Sequence, residues 1–118
     1  MEKVSLEIDQ REIVLMPFPY SDFSGKKVRP VIIVSNDKFN SSSQDLIVCA
    51  ITSNISKDHY TILLKKDCLE KGRLLDDCCV KVENIAKIDR SLVIKKIGSL
   101  KQDIFSEVLG KLNTLFSQ

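Results

Sequence analysis

The sequence lacks most of what marks a membrane protein, a secreted protein or a common enzyme class. No apolar run approaches the roughly 20 residues that a membrane span requires. The N-terminus, Met1 to Gln10, carries Glu2, Glu7 and Asp9 and has no apolar core of a secretion signal. There is one histidine, His59, and it is isolated. The cysteines, Cys49, Cys68, Cys78 and Cys79, form no C-x-x-C pair, and a zinc site wants closely spaced Cys/His ligands. No Gly-rich phosphate loop and no nucleophile elbow is present. Nor is there charge of one sign: the formal net charge of +2 is too small to argue for nucleic acid by itself. These absences predict a cytoplasmic protein with reduced thiols, no membrane contact, no metal and no cofactor.

What is present is the composition of an ordinary globule. The chain has 118 residues, 43% hydrophobic and 29% charged, enough for one core and too few for two. One domain is expected over residues 1–118, with no repeat or linker. It divides into a polar leader (1–10), a sheet or barrel (11–98) and a C-terminal helix (99–117).

Apolar patterning predicts about five or six short strands. Glu12 to Phe18 is the first; Pro17 and Pro19 suggest a sheet edge or a bulge near its end. Arg29 to Val34 is the second. Ser35-Asn36-Asp37 then favours a cap or turn, with a helical turn over Asp37 to Asn40. Leu46 to Ile51 is a continuous apolar run, the pattern of a strand buried on both faces, with Cys49 as a small core residue. Tyr60 to Leu64 is a further strand. Lys65 to Arg73 is a polar connection turning at Lys71-Gly72. Cys78 to Glu83 alternates, with Lys81 and Glu83 on the polar side. Asn84 to Asp89 is assigned a short turn, and Leu92 to Ile97 a last strand ended by Gly98. Ile104, Phe105, Val108, Leu109, Leu112, Leu115 and Phe116 recur at helical spacing. Ser99 and Gln102 fit a capping box at the start of that helix. The sum is a mainly β protein, a small bent sheet or barrel closed by an amphipathic helix.

Phe18 to Ser35 carries the most chemistry. Pro30 forces Arg29 into extended geometry at a strand entrance, a rigid place from which to present a guanidinium. The alternative is a solvated arginine before an edge-strand proline. Thr52 and Ser53 stand at a strand exit, as hydrogen-bonding groups or as strand-end caps. Two strand ends of a small barrel can sit side by side. A guanidinium offers a planar fork of donors to phosphate, and a hydroxyl can donate to a non-bridging oxygen. RNA brings its own nucleophile, the 2′-OH, so the pair needs no metal to stabilise a phosphodiester transition state. Lys26 and Lys27 would add backbone attraction, and Tyr20 and Phe23 would stack on unpaired bases.

In combination these segments resemble the PemK/MazF family of toxin endoribonucleases of type II toxin–antitoxin systems. The resemblance rests on Glu12-Ile-Val-Leu-Met-Pro-Phe18, the loop with Ser24-Gly25, Arg29-Pro30-Val-Ile-Ile-Val-Ser35 and Ile51-Thr52-Ser53. Val82-Glu83-Asn84-Ile85, Ile88-Asp89 and Glu107 to Leu112 agree with its tail. It covers about residues 11–117.

The resemblance implies an SH3-like barrel with short helical turns and a C-terminal helix, acting as a homodimer. It implies sequence-specific, metal-independent cleavage of single-stranded RNA, commonly mRNA, leaving 2′,3′-cyclic phosphate and 5′-OH ends and so halting translation. It implies a cognate antitoxin whose acidic C-terminal segment covers the RNA groove, with operator DNA bound only through that antitoxin. The catalytic arginine falls on Arg29 and the hydroxyl residue on Thr52, with Ser53 beside it on the RNA. Two departures stand out. The Glu that many members carry in the loop is absent from Phe23-Ser24-Gly25-Lys26-Lys27. The late-strand Arg and Asp of some members are Lys81 and Glu83 here. Glu83 is then the first candidate for general base, Lys81 a phosphate contact and His59 a distant alternative. A solvated strand face with a weak ion pair is the plain reading of Lys81 and Glu83. The alternative function is a catalytically degenerate barrel that binds RNA or protein without cutting.

Overall fold

The computed structural model describes residues 7–19 and 26–118, leaving the side chain of Lys26 aside. Among these residues seven strands, β1 (Glu12–Pro19), β2 (Lys26–Ile33), β3 (Asp45–Thr52), β4 (Thr61–Leu64), β5 (Leu69–Gly72), β6 (Cys78–Asp89) and β7 (Lys95–Leu100), form one sheet. Helix α1 (Asp37–Ser42) joins β2 to β3, and α2 (Gln102–Phe116) follows β7. The strand order is β4-β6-β3-β2-β1-β7-β5, with every pairing antiparallel. The mainly β expectation holds, with more strands than the patterning counted. The two end strands, β4 and β5, are four residues each and do not pair with one another, so the sheet is open and not a closed barrel.

The apolar residues sort onto two faces by the two-residue period of a strand. Ile13, Ile32, Cys49, Ile51 and Val80 point one way, and Phe105 and Val108 of α2 pack onto them. Val14, Met16, Val31, Ile33, Val48 and Ala50 point the other way and form a second cluster with Ile8. Val48 to Ile51 are therefore buried in succession, as their unbroken apolar run predicts. Of the expected polar leader, Ile8 is packed in this second cluster and Gln10 donates its backbone N–H to Asp37. Among the described residues no helix is long and apolar enough to cross a membrane.

The prolines fit positions where one strand edge is unpaired. β7 pairs with β1 only over Glu12 to Leu15, so Pro17 and Pro19 lie where β1 has β2 as its sole neighbour. β3 pairs with β2 only over Val31 to Ile33, so Pro30 removes no donor from that ladder. Arg29 thus sits within β2, opposite Met16, on the part of the strand that is not paired with β3.

Five local expectations are corrected. Leu69 to Gly72 is strand β5 and not part of an irregular connection. Asn84 to Asp89 continues β6, because Ile85 to Asp89 pair with Asp45 to Cys49 of β3. The last strand starts at Lys95: the Asp89 side chain accepts from Ser91 N–H and winds Arg90–Leu92 into a 3-10 turn. Gly98 lies inside that strand and does not end it. A Cβ there would come 2.1 Å from the Lys71 carbonyl oxygen, so glycine lets β5 approach β7. The capping box also fails, because Ser99 stays in β7, paired with Glu12 and Lys71. The helix starts later, with Lys101 at its N-cap and no side-chain cap.

Candidate active site

A cleft of about 600 Å³ opens where β2, β3 and β6 meet the β3–β4 loop. Arg29 reaches it from the part of β2 that is not paired with β3, and Thr52 from the last position of β3. Lys81 and Glu83 enter from β6. The pairing of β3 with β6 jumps between Cys49↔Ile85 and Ala50↔Lys81. Val82, Glu83 and Asn84 are therefore extra residues in β6, a bulge that sets Glu83 and Asn84 on the cleft. The alternation expected for β6 holds for Val80 and Val82, which are buried, but Cys79 is buried as well and is not on a polar face.

The Thr52 hydroxyl accepts the Asn54 backbone N–H at 3.1 Å, which leaves its own proton available to a ligand. Lys81 Nζ donates to Asp58 Oδ2 at 2.5 Å, Ser56 Oγ at 3.0 Å and Thr61 Oγ1 at 3.2 Å. Glu83 Oε2 stands 3.8 Å from the same nitrogen. The Lys81 side chain is 16% exposed and that of Asp58 60%. The hydrogen bond to Asp58 raises the Lys81 pKa above its ordinary 10.5, so Lys81 is charged at neutral pH. The hydrogen bonds from Lys81 and Ser56 hold the Asp58 carboxyl below its ordinary 3.8.

The structure thus gathers Arg29, Thr52, Lys81 and Glu83 in one cleft. Ser53 and Lys27 instead line a neighbouring cavity of about 690 Å³, with Arg29 on the wall between the two. Tyr20 and Phe23 lie outside the described residues, as does the Lys26 side chain. His59 is exposed, packs edge-on against Tyr60 and does not line the cleft. The strand exit Thr52-Ser53-Asn54 also brings its amide, Asn54, to the cleft, whereas sequence reasoning missed Ser56, Asp58 and Asn84. The signal for the first two was the polar stretch after Thr52-Ser53-Asn54. The signal for Asn84 was its place beside Glu83, hidden by the turn assigned there.

The family model described as "PemK-like, MazF-like toxin of type II toxin-antitoxin system" matches residues 9–116. The crystal structure of MazF (Form-I) from Deinococcus radiodurans superimposes with a TM-score of 0.79 at 20% identity, covering 97% of this chain and 100% of that one. The MazE-MazF structure (Form-III) from the same organism gives 0.75 at 20% identity, covering 93% and 96%. An endoribonuclease in complex with its cognate antitoxin, from a mycobacterial species, gives 0.68 at 14% identity, covering 91% and 92%.

Proposed function

Since the chain belongs to the PemK-like, MazF-like toxin family of type II toxin–antitoxin systems, we propose that it is an endoribonuclease cutting single-stranded RNA in the Arg29–Thr52 cleft. The observation that carries this reading is the convergence in one cleft of Arg29, Thr52 and Glu83, which come from three strands. The Arg29 guanidinium grips the scissile phosphate, and Thr52 donates its hydroxyl proton to a non-bridging oxygen. Glu83 takes the proton of the 2′-OH. The 2′-oxygen forms a bond to phosphorus, the P–O5′ bond breaks, and the leaving 5′-oxygen takes a proton from water. The products are a 2′,3′-cyclic phosphate and a 5′-OH. Arg29 and Thr52 act by holding the charge that grows on the phosphoryl oxygens. No metal enters this scheme.

The substrate of this reading is mRNA in the cytoplasm, and its loss stops translation and growth. Lys27, Ser53 and Lys81 bind the RNA backbone around the scissile step. The partner is a cognate antitoxin whose acidic C-terminal segment covers the RNA groove and through which alone operator DNA is bound. Relatives solved with their antitoxins support this. The working unit is a homodimer, in keeping with the exposed Val28 and Leu75 beside the second cavity.

The test is incubation of the protein with mixed-sequence single-stranded RNA in excess EDTA, followed by mapping of the fragment ends. Discrete cuts with cyclic-phosphate ends are expected, absent in folded Arg29→Ala and Thr52→Ala proteins. Cutting that survives both substitutions overturns this assignment of the site. One observation favours a second reading, RNA binding without chemistry: the Lys81 ammonium is already engaged by Asp58. Salt-dependent binding with RNA left intact is its signature.

A further inference from the structure

The cleft proposed to hold a polyanion is not strongly positive. Arg29 and Lys81 contribute two positive charges to its lining, and Asp58 and Glu83 two negative ones. The two carboxylates are placed differently. Glu83 belongs to the strand that carries Lys81 and stays 3.8 Å from its ammonium. Asp58 comes from the β3–β4 loop, is the more exposed of the two and lies closer to the ammonium. Its Oδ2 accepts from Lys81 Nζ at 2.5 Å and from Ser56 Oγ at 3.0 Å. An ammonium and a hydroxyl converging on one anionic oxygen are the kind of donors that take a phosphate oxygen. Thr61 Oγ1, at 3.2 Å, fixes the ammonium from the neighbouring strand, so the donor pair does not depend on Asp58 alone for its placement.

Resting on the ribonuclease reading, we propose that Lys81 Nζ and Ser56 Oγ form a second phosphate subsite. It takes the RNA backbone beside the scissile step, and in the free protein the Asp58 carboxylate fills it. Asp58 Oδ2 stands where a non-bridging phosphate oxygen binds. RNA entry turns the exposed Asp58 side chain out to solvent, a fast rotamer change that breaks its ion pair with Lys81. The cleft then gains a net positive charge only when an RNA phosphate is there to use it.

The experiment measures binding and not cleavage. Fluorescence anisotropy follows a mixed-sequence 2′-O-methyl RNA, which has no free 2′-OH to react, across a salt series. Asp58→Asn keeps the shape of the side chain and removes its charge. It is expected to bind the RNA about 5–10-fold more tightly at low salt. Its salt slope should steepen by about 0.7, the value for one more single-strand phosphate contact. Adding Lys81→Met to Asp58→Asn should abolish the gain. Weaker or unchanged binding by Asp58→Asn overturns the subsite, since a merely positioning Asp58 would lose affinity when neutralised. So does a gain that persists in the double variant. If the wild-type protein binds no RNA at any salt, the subsite and the ribonuclease reading fall together. If it binds and only the Asp58→Asn gain is missing, the ribonuclease reading stands alone.

Discussion

Asp58 and Lys81 lie 23 residues apart, and their ion pair brings loop and strand together at the cleft. A carboxyl whose folded pKa is depressed stabilises the fold fully above its ordinary value and loses that contribution as pH falls through the folded value. For Asp58 the ordinary value is 3.8 and the shift is downward. The stability difference between wild type and Asp58→Asn, read from urea midpoints, should therefore be flat over about pH 5–8. It should close as the pH drops below 3.8. Lys81 stays charged throughout, since its own pKa moves up. At Arg29, replacement by alanine should lower kcat about 10²–10³-fold, and lysine should restore little, since an ammonium lacks the two-pronged fork. Single-turnover cleavage of one mapped RNA site checks both. The thiols give a third outcome. Burial pushes Cys49 up to about 12 and Cys78 up to about 11. Iodoacetamide at neutral pH should leave both unmodified in the native protein and label them in urea.

At the level of elements, the strands that the apolar pattern marked most strongly are those it placed best. Leu46 to Ile51 lies within β3, and Glu12 to Phe18 within β1. The misplaced boundaries belong to segments whose strand character comes from a neighbour. β5 is polar in sequence and becomes a strand because β7 runs beside it. β7 itself begins late because Asp89 caps a turn before it, a hydrogen bond that apolar spacing does not encode. The contact between β5 and β7 hangs on Gly98, where any Cβ meets a carbonyl oxygen. Gly98→Ala should cost about 1–3 kcal/mol in urea unfolding. It should also speed exchange of the amides of Leu69 and Lys71, the residues paired with β7 there. An unchanged midpoint and unchanged protection would show that β5 can move aside freely. α2 is held through Phe105 and Val108, its two buried residues. Phe105→Ala should therefore destabilise by about 3–5 kcal/mol.

At the scale of the whole molecule, the described residues form an open antiparallel sheet with apolar side chains on both faces and α2 laid across one of them. Light scattering at micromolar concentration should give twice the chain mass of 13.4 kDa, as the homodimer reading requires. Leu75→Glu, at a residue 84% exposed beside the second cavity, should shift the population toward the monomer. A stable monomer in the wild-type protein would count against the dimer.

The sequence by itself determined the strands with strong apolar runs, the C-terminal helix, the extended geometry of Arg29 before Pro30 and the family that these segments resemble. Each depends on neighbours along the chain: side-chain period, proline sterics, or a motif a few residues long. Only the tertiary structure decided that Arg29, Thr52, Lys81 and Glu83 share one cleft while Lys27 and Ser53 face the next. Only the register of β3 against β6 placed the bulge that sets Glu83 and Asn84 on that cleft. The Asp58 plug depends on the path of a loop whose polar residues look solvated in sequence. What joins Asp58 to Lys81 is a contact through space, and such contacts are set by pairing register and packing, which leave no short-range period in the chain.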